Sequence, residues 1–181
     1  MHPARHRALR ELGAFTRQMS DHWAALAERV GDGPVPKALR EGAAAAGTVL
    51  EALKPLASAR DVEIGPAAMN AGRFARARPL VPDAVLERNQ AVRFALLDAE
   101  LLLTLISYLG ALSASDGDQE LVDACARWKA AIGKPARAAR RGAIALGTTP
   151  DKALEPISKG QKLTWAIGWL GEATDRRTKR S

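Results

Sequence analysis

The chain has 181 residues, with 27 Lys and Arg against 20 Asp and Glu, for a net charge of +7. That length suits one domain whose core needs no covalent staple. The single cysteine, Cys125, excludes an internal disulfide and any multi-cysteine metal site. A pI near 10.1 admits nucleic acid, anionic lipid or an acidic protein as partner without selecting among them.

Alanine fills much of the apolar fraction, and it is the strongest helix former. Val, Ile, Thr and Tyr are sparse and never alternate over a long run, so almost no sheet is expected. The opening MHPARHRALRELG lacks the apolar stretch of a secretory signal, and a cytoplasmic location is the expectation.

The first helix is expected over about Pro3 to Val30. Leu9, Leu12, Thr16, Met19, Trp23, Leu26 and Val30 recur at steps of three and four, which forms one apolar seam. Gly31-Asp32-Gly33-Pro34 ends it. A second helix should start near Pro36 and reach about Arg60. Its middle, Gly42-Ala43-Ala44-Ala45-Ala46-Gly47, is smooth enough for a neighbour to approach closely. Pro55 should kink it or end its regular part. Residues 61 to 82 hold Gly65-Pro66, Gly72, Pro79 and Pro82 and read as one long irregular connection.

The third helix is expected over Asp83 to Leu112, with Asp83 as its N-cap. From Phe94 onward it is apolar on almost every side, so it should be surrounded by other helices. Its longest apolar run, Leu101 to Leu112, is too short to span a bilayer, and Asp98 and Glu100 stand just before it. No transmembrane span is expected. A fourth helix should start near Asp118 with Leu121, Val122, Cys125, Trp128 and Ile132 on its inner face. Gly133-Lys134-Pro135 should interrupt it before a shorter piece, Ala136 to Leu146. Thr149 and Pro150 suit another helix start. A last helical piece is expected over Gln161 to Ala173, with Leu163, Ala166, Ile167 and Leu170 on one side.

The expected fold is therefore all-α: an up-down bundle of four to five helices with one long irregular connection. Residues 1–174 read as a single domain and 175–181 as a basic flexible tail.

Phosphate-binding loops, dinucleotide fingerprints, H-E-x-x-H and G-x-S-x-G are all absent. No Glu-x-x-His pair of the di-iron bundles occurs. Asp116, Asp118 and Glu120 stand at calcium-loop spacing, but Leu121 replaces the required Gly and Arg127 the closing Glu. No catalytic residue, metal or cofactor is assigned, and the balance leans away from an enzyme.

Four features could carry function. Asn89, Arg93, Glu100, Thr104 and Ser107 form a polar stripe on the third helix, read as a solvent-facing strip, a buried network or a ligand site. Lys129, Lys134, Arg137, Arg140 and Arg141 share one side if the helix continues through Pro135, and four of these (Lys134, Arg137, Arg140, Arg141) are candidate contacts for an anionic partner. Arg73, Arg76 and Arg78, beside Phe74, could join them. Trp165 and Trp169 stack four apart on the last helix and are candidate interface residues.

The leading expectation is a non-enzymatic interaction module working through protein–protein contacts, with self-association as one form. The alternative is a nucleic-acid binder that contacts phosphates through its Arg/Lys clusters. The third is a ligand-binding or enzymatic bundle built on the polar stripe.

Overall fold

A computed structural model describes residues 2–65 and 86–157 of the chain. Its elements are α1 (Pro3–Val30), α2 (Pro34–Ser58), α3 (Arg88–Ser115), α4 (Gln119–Ala145), a 3-10 turn (Leu146–Thr148) and the short α5 (Pro150–Leu154). The protein is an all-α helical bundle. Among the described residues the nearest thing to a strand is one isolated bridge, Glu87 to Pro156.

Four long helices pack in a ring. α1 lies against α2 and α3, and α4 lies against the same two. Arg5 and Arg60 both reach Asp118, which gathers the start of α1, the end of α2 and the start of α4 at one end. At the other end Val35, opening α2, sits on Gly142 near the end of α4, and Arg88 N–H bonds Glu155 O at 2.8 Å. Every packed pair is therefore antiparallel. α2 and α3 occupy a diagonal and run the same way. The chain leaves α2 at one end of the bundle and enters α3 at the other, a route that no short turn could provide. This is the physical reason for the long connection. Its first residues turn back over α1, with Val62 buried and Ile64 against Gly13.

The seam read in α1 is all core: Leu9, Leu12, Thr16, Met19, Trp23, Leu26 and Val30 are all buried. Trp23 lies at its centre. The indole rests on Gly42 of α2, where an added Cβ would come within 2.3 Å of the ring. Its Nε1–H donates to Ala95 O of α3 at 3.0 Å. One side chain thus fixes three helices.

Three boundaries differ from expectation. α4 is not interrupted at Gly133-Lys134-Pro135 but runs unbroken to Ala145 with Pro135 inside it. Pro135 faces the core, and the Ala131 carbonyl it cannot bond belongs to an exposed residue that water can reach. α3 begins at Arg88 with Glu87 as N-cap, where the Gln90 side chain accepts from Glu87 N–H at 3.4 Å; Asp83 lies outside the described residues. α2 begins at Pro34, in its first turn, rather than near Pro36. Asp118 caps α4 by accepting from Leu121 N–H at 3.3 Å.

Gly42 and Gly47 give a direct test of the Trp23 contact. Gly42→Ala should destabilise the fold by roughly 1–3 kcal/mol through overpacking. Gly47 has only Ser20 Oγ nearby, at 3.7 Å, so Gly47→Ala should stabilise by up to about 1 kcal/mol through helix propensity. Urea denaturation of the two variants checks both signs.

Candidate interaction surface

The rotation of α3 decides which of its apolar residues reach the core. Trp23 holds Ala95 on the α1 side. Two further bonds grip the same flank: Gln18 Nε2–H donates to Asp98 Oδ1 at 3.3 Å, and His22 Nδ1 lies 2.5 Å from Asp98 Oδ2. On the α4 side, Gly110 faces Cys125 and Leu103 faces Gly133. Ala95, Ala99, Leu102, Ile106 and Leu109 are consequently buried.

Among the described residues no helix covers the opposite face. Phe94, Leu97, Leu101 and Tyr108 remain 48, 44, 43 and 49 % exposed. This corrects the expectation that neighbouring helices surround α3: among the described residues two neighbours cover it, and its third side faces out. The four residues follow a 3-4-7 spacing, which Thr104 and Ala111, both exposed, complete to a heptad seam. By length and composition α3 would also pass for a membrane span, with a third of its most apolar window buried.

The polar stripe shares Thr104 with this seam and otherwise lies beside it, toward α4. Arg93, Glu100, Thr104 and Ser107 are exposed and Asn89 is half-buried. Ser107 Oγ–H donates back to Leu103 O at 2.8 Å. Glu100 forms an ion pair with Arg140 of α4, so the stripe meets the basic face. Asn89, Arg93 and Arg140 line a shallow depression of about 390 Å³ together with Leu96, Ala143, Ile144 and Gly147. Asn89 Oδ1 is buried there and has no hydrogen-bond partner among the described residues.

Because α4 is continuous, its cations do share a surface. Lys129, Lys134, Arg137, Arg140 and Arg141 are all exposed, and so is Arg127. Between Ala124 and Ala145 there are six Lys or Arg and no Asp or Glu. The outer surface thus runs in three bands: apolar on α3, polar between the helices, basic on α4. Arg73, Arg76, Arg78, Trp165, Trp169 and the segment 175–181 lie outside the described residues.

Two polar clusters escaped the sequence reading. One is Gln18–His22–Asp98, described above. The other is at the opposite end of α1. Arg60 donates through Nε to Asp118 Oδ2 at 2.7 Å and through NH2 to Oδ1 at 2.6 Å, a forked pairing that is both strong and directional. Arg5 adds 3.2 Å to Asp118 and 3.4 Å to Asp116, and Arg60 reaches Glu120 at 3.0 Å. The acidic triplet with calcium-loop spacing therefore binds guanidinium groups. Arg60 holds the Asp118 carboxyl below its ordinary range. Cys125 is buried, and that burial, with the Asp118 charge adding to it, pushes its thiol up to about 11, so it stays protonated at neutral pH.

Comparison with protein-family models, curated proteins and solved structures finds no match, and the surface is read from its own geometry.

The Asp118 clasp makes an acid-pH prediction. Its carboxyl is depressed in the folded state, so its stabilisation is present above the ordinary carboxylate pKa of about 4. It is lost as pH falls through the lower, folded value. Asp118→Asn should destabilise the fold at pH 7 by on the order of 3 kcal/mol, as expected for a broken, largely buried ion pair. It should also flatten the loss of stability on the acid side, measured by urea melts from pH 7 downward.

Proposed function

We propose that the protein is a non-enzymatic interaction module, and that its working surface is the outer face of α3. One observation carries this reading. Phe94, Leu97, Leu101 and Tyr108 stand on the outside of a helix whose other faces are locked into the bundle. Exposed apolar patches of this kind, rimmed by polar residues, mark contact sites. Heptad spacing suits a helix of a protein partner, laid lengthwise so that its side chains interdigitate with the seam. A helix of a second copy meets the same requirement. The α1 seam takes no part in such a contact, because it is buried within the bundle.

The test is affinity capture from the native cell with the unmodified chain and with a Leu97→Asp/Tyr108→Asp variant. Both side chains are about half-exposed, so the variant should keep its helical content. A protein retained by the first and released by the second is the expected result. Identical captures on both, or none on either, would sink the proposal.

A second reading has its own observation: the unbroken basic face of α4. Six exposed cations without an acidic neighbour on that stretch favour a polyanion such as nucleic acid. Its expected signature is retention that falls steeply with salt and is lost in Arg137→Glu/Arg141→Glu. No gel-shift at low salt removes this reading. An enzyme or carrier built on the polar stripe has less support. The stripe is mostly open surface, and Glu100 is already paired with Arg140.

A further inference from the structure

We infer that the apolar band on α3 and the basic band on α4 act together as a docking face for an anionic phospholipid surface. This goes beyond the protein contact proposed above and gives the same side of the bundle a second ligand. A partner helix and a bilayer would exclude one another there.

The distribution of exposed apolar side chains is the first argument. Among the described residues six large ones are exposed, and none stands on α1 or α2. Phe94, Leu97, Leu101 and Tyr108 follow the outer face of α3 for roughly 21 Å at about 1.5 Å per residue. The other two gather at the Phe94 end. Ile144 borders the depression that Arg93 lines, and α5, which carries Leu154, lies against α3. With α1 and α4 packed on its flanks, the outer side of α3 is a ridge. A flat, deformable surface can meet a ridge along its whole length. The apolar side chains then dip into the boundary between headgroups and acyl chains, as they do in helices that lie in that plane.

The placement of charge is the second argument. Exposed cations and anions balance on α1, three against three, and on α2, two against two. The excess sits on α4, and part of it forms a row on the edge toward α3. Arg140 pairs with Glu100. The Arg137 guanidinium lies over Gly133, 3.1 Å from where a Cβ would stand, and Gly133 faces Leu103. Lys129 precedes Arg140 by roughly three helical turns and so shares its edge. It stands between Cys125, opposite Gly110, and Gly133, opposite Leu103, which sets it level with Tyr108. With Arg93 at the other end, cations accompany the seam along its length.

The two bands reinforce each other. Half-exposed side chains enter a bilayer only shallowly, and stable attachment takes a second signal. Each basic residue near an anionic surface strengthens partitioning by about fivefold. A nucleic acid would use the basic row and leave the apolar ridge in water. A second copy would bring an equal positive charge to the contact, which repels.

Co-sedimentation of the full chain with vesicles tests the proposal. One set is phosphatidylcholine alone, and the other is phosphatidylcholine and phosphatidylserine in a two-to-one ratio. The chain should sediment with the second set and stay in solution with the first. Lys129→Gln/Arg137→Gln, two surface changes, should weaken binding roughly 25-fold. Leu97→Asp/Leu101→Asp should abolish it. A fluorescent label keeps the test independent of any folding defect in that variant. Cys125 is buried, so an environment-sensitive dye can be placed on one introduced cysteine. The dye on Leu101→Cys should shift to the blue with the serine-containing vesicles, and on Thr48→Cys, exposed on α2, it should not. Failure to sediment with those vesicles at low salt would overturn the proposal. So would equal binding by the Leu97→Asp/Leu101→Asp variant, or equal dye shifts at both positions. A protein captured through Leu97 and Tyr108 without vesicle binding would overturn it and leave the protein contact standing. Vesicle binding with no protein on any capture would support it and remove the protein contact.

Discussion

Trp23 is the constraint on which the rest of the arrangement depends. Its indole fills the space left by Gly42 and donates its one N–H to the Ala95 carbonyl. A buried indole combines a large apolar body with a single polar group that must be satisfied, so its partner has few allowed positions. That fixes α3 in rotation as well as in distance. Gln18 and His22 hold Asp98 on the same flank a turn away. With Ala95 and Asp98 turned toward α1, the period of the helix dictates that Leu102, Ile106 and Leu109 go inward and that Phe94, Leu97, Leu101 and Tyr108 go outward. The exposed seam is a consequence of that rotation, in a helix with more apolar surface than two neighbours can cover.

Much of this was legible in the residues alone. The seam from Leu9 to Val30 announced α1 and its buried face, because period and turn signals are local properties. The smooth middle of α2 announced a close approach, although not that Trp23 would make it. What stayed hidden depended on which helix lies beside which. Asp116, Asp118 and Glu120 looked like a failed calcium loop because their cations, Arg5 and Arg60, are far away in sequence. His22 and Asp98 are 76 positions apart in the chain. Pro135 looked like a break because its missing bond is visible in the sequence, while the exposure of Ala131 is not.

The candidate surface shows the same division. The polar stripe and the basic cluster were each readable as helix faces. That Glu100 and Arg140 join them into adjacent bands could be known only from the packing of α3 on α4. The apolar band was misread as interior for a related reason. Periodicity reports that a face is apolar, and it does not report whether the fold has a neighbour to place there. An apolar face left over after the core is complete is where an interaction surface would be expected, and the basic band on α4 lies close enough to influence what approaches it.

Among the described residues α3 is locked on two sides and open on the third. An aspartate scan along α3, read as the cooperativity of thermal unfolding at each position, tests it most directly. A helical alternation is expected. Aspartate at Ala95, Ala99, Leu102, Ile106 or Leu109 should abolish the cooperative transition, because an unpaired charge would be buried. Aspartate at Phe94, Leu97, Leu101 or Tyr108 should leave it in place. A scan in which every position is equally damaging would contradict the account, since it would mean that α3 is enclosed by the bundle on all sides.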